Sequence, residues 1–428
     1  MIYLLYDILL HASVIILLPY FVFKMVIARK YREGVPERFG FIKKVKLKRL
    51  LGGQAVWFHA VSVGETKAIM PVVKLLKEKR PDIKILFSTV TRTGNRTAAN
   101  DGAGLIDALI YFPLDLSWAI RRVVSLAKPK ALIVVEKEVW PNLYKILNEK
   151  NVPVIVANGT ISERSFKRFL RFKFFFGGVF GKVSYFCGRT REDSERAFRA
   201  GVKKERVRTI GNLKFDIKPP ALSASAIESL RSALDIGPQD KVIVAGSTHP
   251  GEEEIILKAY AQLLGSFKGL KLILAPRHPE RFNEAESLIK KTGLAYSRRS
   301  SGRGGDIMLL DTVGELMTIY SFASVAFVGG SIVPGIGGHN LLEPAYFGKP
   351  VLYGPYLSTY LNMARMLEEG GGGIGVEEKN LSSKLSELLT NDLLRKRTGD
   401  AAKKVVEENR GASKRTVEVI EGFLKRAK

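Results

Sequence analysis

The chain has 428 residues, 46% of them hydrophobic, with 68 Lys+Arg against 42 Asp+Glu and a net charge of +26. That length exceeds one ordinary core, so two domains with appendages are expected, and the hydrophobic content excludes a disordered chain. A single cysteine, Cys187, excludes an internal disulfide and a cysteine-built metal site, while the basic excess calls for an anionic partner. No DNA-reading motif or aromatic-interleaved RNA-binding signature accompanies the charge. The expectation is therefore a membrane face or a phosphorylated ligand, and no nucleic acid.

Residues 1–28 are apolar almost throughout, broken mainly by Asp7, His11 and Lys24. The run is long enough to span a bilayer and lacks the basic start and small-residue cleavage site of a signal peptide. Arg29, Lys30 and Arg32 follow, which by the positive-inside rule keeps the remaining chain cytoplasmic. Asp7 leaves open an interfacial, monotopic anchor instead of a full span. Residues 29–50 form a basic connector with Lys43, Lys44, Lys46, Lys48 and Arg49, suited to anionic lipid headgroups.

From residue 54 the pattern alternates strand and helix. Strands are expected at 55–59, 83–89, 108–112, 131–135 and 152–157, with an amphipathic helix at 66–78. Segment 166–182, FKRFLRFKFFFGGVFGK, interrupts the rhythm with seven phenylalanines and five Lys or Arg, a membrane-surface composition unless half the rings pack inward. Residues 217–240 read as a linker. A second series follows, with strands at 242–245, 270–275, 307–310, 323–328 and 351–353. The boundaries are 1–28 anchor, 29–50 connector, 51–216 first domain, 217–240 linker, 241–400 second domain and 401–428 a basic C-terminal helix. Such alternation implies parallel sheets covered on both faces, with ligands at the carboxyl ends of the strands. The stretches AVWFHAVSVGE and KVIVAGSTHPGE echo one another, suggesting two similar Rossmann-like domains facing a cleft.

Four of the five histidines, His59, His249, His278 and His339, fall at or just after strand ends. No His/carboxylate pair has ligand spacing supported by a second pair, so hydrogen bonding to ligand is preferred and no metal is expected. In HAVSVGE, Ser62 can cap the coming helix, Gly64 allows close backbone approach, and Glu65 sits at a helix start. There Glu65 is either a first-turn charge or a general base for an acceptor hydroxyl. Glu136 and Glu138 precede a Trp-Pro turn, either as a charged loop or with one carboxylate oriented onto His59 or substrate. In the second half, Ser247, Thr248 and His249 lie in a small-residue turn, and Arg277 after Pro276 could grip a phosphate. Gly314 and Glu315 open a helix. Residues 329–343, GGSIVPGIGGHNLLE, form a Gly-rich turn that would let a ligand approach and aim a helix start at phosphate. Together these suggest a nucleotide site. There is no P-loop and no G-x-G-x-x-G opens the first strand, which argues against an ATPase or a dehydrogenase.

The anchor followed by HAVSVGE, VVEKEVWPN, GNLKFD, GSTHPGE, APRHPERF, TVGELM, FVGGS and GGHNLLEP resembles bacterial 3-deoxy-D-manno-octulosonic acid (Kdo) transferases, in order, to about residue 355. The resemblance implies an α/β GT-B glycosyltransferase fold, with acceptor bound by the first Rossmann-like domain and donor by the second. It implies inverting transfer of Kdo from CMP-Kdo, a co-substrate, to the lipid A precursor lipid IVA in lipopolysaccharide core biosynthesis. No cofactor or metal is needed. The location implied is the inner membrane, on its anionic lipids, with the catalytic domains on the cytoplasmic side. Glu65 matches the family's general base and Glu136 a second essential carboxylate. Pro276 and Arg277, then Val313, Gly314 and Glu315, then Asn340, Leu341, Leu342 and Glu343 match its contacts to CMP. Val313 and Leu341 replace a methionine and a proline of other members. Two other readings stand beside this one: a GT-B transferase or epimerase using a UDP-sugar, and a non-enzymatic membrane lipid-binding protein.

Overall fold

The structure, a computed structural model, describes residues 2–27, 33–51, 54–219, 223–302 and 304–426. Arg29, Lys30, Arg32 and Pro220 lie outside the described residues. The chain divides into two compact units, Met1–Ile217 with Asn409–Lys428, and Lys218–Glu408.

The first unit holds one parallel sheet of β1 (Gln54–His59), β2 (Ile83–Thr89), β3 (Ala108–Tyr111), β4 (Ala131–Val135), β5 (Val154–Gly159), β6 (Tyr185–Gly188) and β7 (Val207–Thr209). The order is β3-β2-β1-β4-β5-β6-β7. The second unit repeats the plan with β8 (Lys241–Thr248), β9 (Leu270–Pro276), β10 (Tyr296–Arg298), β11 (Ile307–Leu309), β12 (Val325–Val328), β13 (Val351–Tyr353) and β14 (Gly373–Gly375). Its order is β10-β11-β9-β8-β12-β13-β14. Central strands such as β1 and β4 are buried on both faces, which is why they read as unbroken apolar runs rather than alternating ones. The strand order reverses between β1 and β4, and again between β8 and β12; these switch points are where an open parallel sheet leaves a crevice.

All ten expected strands form, with small shifts at their ends. The four others, β6, β7, β10 and β14, are three or four residues long, and most are only partly covered, so no apolar run marked them. Two domain boundaries differ. Within 217–240, read as a linker, residues Ala224–Ala233 form a helix whose Ile227 and Leu230 pack on the second core beside buried Leu234 and Ile236. The basic tail is two helices, Asp392–Glu408 in the second unit and Ala412–Arg426, which crosses back to the first. Val417, Ile420 and Leu424 of the latter join the core under β1 and β4, so that helix belongs to the first domain.

The N-terminal helix, Ile2–Val26, rests one face of its first turns on the first unit, while Ile15 to Phe23 stand largely exposed. The connector beyond it folds inward: Ile42, Leu47 and Leu50 enter the core, whereas Lys43, Lys44, Lys46, Lys48 and Arg49 face out. Segment 166–182 becomes two helices, Glu163–Arg171 and Lys173–Phe180. Phe166, Phe169 and Phe180 are buried, but Phe172 and Phe174 are 42% and 74% exposed. Part of the segment packs inward, and the exposed rings remain free to meet a membrane surface.

Candidate active site

At the first switch point, β1 ends in His59 and the chain turns through Val61 into the helix Val63–Lys79. Ser62 caps that helix, accepting the Glu65 N–H at 3.4 Å. The Glu65 side chain folds back to accept the Val61 N–H at 2.6 Å, closing the turn on itself. Its carboxyl is buried, and its pKa is pushed up to about 7, first by burial and then by the charges of Glu136 and Glu138. A carboxylate poised near neutrality has the proton affinity a general base needs. Gly64 has only Ser62 Oγ within 4.0 Å of where a Cβ would sit, so the space before the helix start stays open.

Across the switch point, β4 delivers Glu136 with φ 62°, a left-handed conformation rare outside glycine. The strain is held by pairing: Glu136 N–H donates to Ala157 O at 2.9 Å, and Thr160 N–H donates to Glu136 O. Lys214 Nζ lies 3.3 Å from Glu136 Oε1, and Asn158 Nδ2 donates to the same oxygen at 3.4 Å. Lys214, Asn158 and Glu138 therefore join the site, although none was singled out for it alone. The GNLKFD and VEKE motifs contained Lys214 and Glu138, but the meeting of Lys214 with Glu136 depends on the turn after β7. Beside Glu136 opens a cavity of about 450 Å³, walled by Phe169, Phe176 and Phe180 and rimmed by Glu138, Trp140 and Arg168.

His59 is not presented to ligand. It is fully buried, stacked on Phe112 at 3.7 Å, with Nδ1 3.0 Å from Ser88 Oγ. Burial pushes its pKa down to about 3, so the ring is neutral. Its neighbours are Ser88, Phe112 and Trp140, and among the described residues no carboxylate bonds to it, which leaves substrate or a charged loop as the readings for Glu136 and Glu138. It buttresses the end of β1.

In the second unit the Gly-rich turn differs from expectation. Glu252 is fully buried and accepts N–H groups from His249 at 3.0 Å, Gly330 at 2.6 Å, Ser331 at 2.9 Å and Ile332 at 3.0 Å. The nest after β12 is thus filled by the protein's own carboxylate rather than left open to phosphate. A Cβ on Gly329 would meet Ser247 O at 2.5 Å and Glu252 Oε2 at 2.8 Å, so that glycine serves internal packing. Thr248 is buried and donates to Glu253 Oε1 at 2.9 Å, which also pairs with Arg281 at 2.8 Å. Thr248 is structural here.

What this frame presents is one exposed guanidinium and a cluster of three histidines. Arg277 and His278 follow buried Pro276 at the end of β9, both exposed. His249 and His339 stack in parallel with their Nε2 atoms 2.7 Å apart, and the His278 ring lies 5.4 Å from His249. One Nε2 must accept the other's proton, so the two rings cannot both be charged. Burial lowers the His249 pKa to about 4 and that of His339 to about 3, and the neighbouring His278 and Arg277 charges push the same way. An anion entering here meets the exposed Arg277 and His278, the latter 3.9 Å from Glu280.

The other anticipated contacts divide. Val313 is 81% exposed, and Gly314, with φ 101°, has nothing within 4 Å of a Cβ position, so that loop is open to a ligand. Glu315 is committed to Arg299 at 2.9 Å and to Thr312, bracing the loop. Ser247 lies partly exposed with φ 59°. Leu341 and Leu342 are fully buried and can offer only backbone, whereas Asn340 and Glu343, linked at 3.3 Å, remain partly exposed.

A family model described as 3-deoxy-D-manno-octulosonic-acid transferase (kdotransferase) matches residues 33–217. The chain is 36% identical over 405 residues to the 3-deoxy-D-manno-octulosonic acid transferase of Haemophilus influenzae, covering 93% of each. It is 37% identical over 351 residues to the Aquifex aeolicus enzyme of the same name, covering 82% of this chain and 90% of that one. Among solved structures, the S. aureus MnaA–UDP co-structure matches with TM-score 0.60 and 16% identity over 87% of this chain and 97% of that one. That last likeness concerns fold alone and agrees with a GT-B class. The chain belongs to the 3-deoxy-D-manno-octulosonic acid (Kdo) transferase family of glycosyltransferases.

Proposed function

We propose that the chain transfers Kdo from CMP-Kdo to the lipid A precursor lipid IVA, inverting the anomeric centre, on the cytoplasmic side of the inner membrane. The observation that carries this reading is Glu65, a buried carboxyl with pKa near 7 held at an open helix start beside Glu136. Glu65 takes the proton of the acceptor hydroxyl as that oxygen attacks the anomeric carbon of Kdo. The bond from that carbon to the CMP phosphate breaks, and CMP leaves with the electron pair. Glu136, fixed by Lys214 and Asn158, holds the acceptor sugar in line. The cavity with Arg168 on its rim suits a phosphorylated glycolipid.

The second unit binds the donor. Arg277 and the His249/His278/His339 group receive the phosphate and the Kdo carboxylate, and the open backbone at 313–314 with Asn340 and Glu343 receives the nucleoside. Stabilisation of the departing phosphate by these cationic and N–H groups makes a metal unnecessary. The exposed apolar helix and the basic surface, at net charge +26, support attachment to anionic lipid. Incubating the full chain with CMP-Kdo and lipid IVA, and weighing the products by mass spectrometry, tests the reading. Mass gain by one or more Kdo units supports it; turnover with a UDP-sugar and none with CMP-Kdo refutes it.

A further inference from the structure

The N-terminal helix is gripped at the end that a spanning helix would send across the bilayer. Asp7 Oδ1 accepts the Ser117 N–H at 3.1 Å and Asn142 Nδ2 at 2.7 Å, and Asp7 Oδ2 accepts the Ser117 hydroxyl at 2.7 Å. Tyr6 donates to Asp115 at 3.0 Å, and Asp115 in turn accepts the Asn142 and Leu143 N–H groups that open the helix Pro141–Glu149. Tyr3 and Tyr6 both pack on Phe175, and Lys145 and Lys182 lie over the Tyr3 ring.

Glu33, beyond the other end, is held by the same unit. Glu33 accepts the Tyr111 hydroxyl at 2.8 Å and pairs with Arg92 at 2.7 Å. At a rise of about 1.5 Å per residue, Asp7 and Ile27 are roughly 30 Å apart along the helix, the thickness of a hydrocarbon core. A helix crossing the bilayer would place those ends on opposite faces. Here Asp7, and Glu33 six residues past Ile27, are both tied to the first unit.

Around the docked end lies a rim of membrane-interface chemistry. Phe174, 74% exposed, neighbours Phe175, and Trp118, 41% exposed, follows Ser117, stacks with Phe39 and meets Phe41 at a tilt. Arg171 and Arg122 sit over Phe172 and Phe41. Aromatic rings beside cations are what the headgroup layer of an anionic leaflet accepts.

We infer that the N-terminal helix is a monotopic anchor, lying within the leaflet that faces the catalytic units against anionic phospholipid, and does not cross the bilayer. The inference rests on reading this helix as a membrane anchor and adds its topology. To test it, a cysteine is added before Met1 of the full chain, and Lys425→Cys is made separately to report the side of the first unit. Cys187 is buried and does not compete. Inverted inner-membrane vesicles from expressing cells, cytoplasmic side outward, are treated with a membrane-impermeant maleimide. Equal labelling of both cysteines without detergent is the expected result. Labelling of the Lys425→Cys protein alone, with the N-terminal cysteine reacting only after detergent, overturns the monotopic topology. Recovery of the protein in the soluble fraction instead overturns the anchor reading itself.

Discussion

Glu252 and Gly330 are joined by an N–H···O contact of 2.6 Å, so the turn that looks from sequence like an empty anion nest already holds an anion. The carboxylate ties the start of the helix Glu252–Ala261 to the loop after β12, across the switch point of the second sheet. Glu252→Ala strands four buried N–H donors. It should cost about 3–5 kcal/mol in the unfolding of the second unit, since each unmet buried donor carries a penalty of about 1–3 kcal/mol and the loop can relax. Urea titration measures this, and CMP affinity should fall with it. A loss below about 1 kcal/mol would mean the nest is not a structural clamp.

Glu65 should trade stability for function. Its folded pKa, about 7, lies above the ordinary 4.5, so the group favours folding most at low pH and that contribution is lost as pH rises through 7. Glu65→Gln should therefore stabilise the protein at pH 8, by an amount on the order of 3 kcal/mol at most, while abolishing transfer. In the parent, kcat should climb as pH rises through about 7, because the base works deprotonated. Unfolding curves at pH 5 and pH 8 for both proteins, with a pH–rate profile, check the signs.

The histidine group should take up protons when an anion binds. His249 and His339, held at about 4 and 3 below an ordinary 6.5, oppose folding increasingly as pH falls from 6.5 toward those values. A phosphate beside them reverses the local potential and raises both. Calorimetry of CMP binding at pH 6, in two buffers of different ionisation enthalpy, should show uptake of roughly one proton per ligand. Arg277→Ala should weaken CMP binding by about tenfold or more, the loss of one charge-assisted contact.

The C-terminal helix should be indispensable to the first unit although it follows the second. Leu424 is 1% exposed in the core that also holds Val56 and Ile133. Leu424→Ala should cost about 2–5 kcal/mol in the unfolding of the first unit and leave that of the second unchanged. Domain-resolved hydrogen exchange distinguishes the two.

Much of the fold was legible because parallel strands write themselves as apolar runs, and Glu136 and Arg277 follow directly on β4 and β9 as their positions after such runs suggest. Family motifs supplied which carboxylate to choose. What stayed hidden depended on contacts between distant segments. Nothing local tells that Glu252 answers the N–H groups of Gly330 to Ile332, or that Asp7 reaches Ser117, 110 positions on. Position at a strand end also misled: His59 is at one, yet its ring turns into the core against Phe112. The helix within 217–240 reads as linker because none of its side chains is fully buried and only Ile227 and Leu230 pack on the core.

In the proposed mechanism Glu65 removes the acceptor proton while the second unit independently holds the donor. Its most direct test compares Glu65→Gln with the parent chain in two assays, Kdo transfer from CMP-Kdo to lipid IVA followed by mass spectrometry, and CMP binding by calorimetry. Loss of transfer by about a hundredfold or more, with CMP affinity unchanged, is the predicted result. Transfer at the parental rate by Glu65→Gln would contradict it.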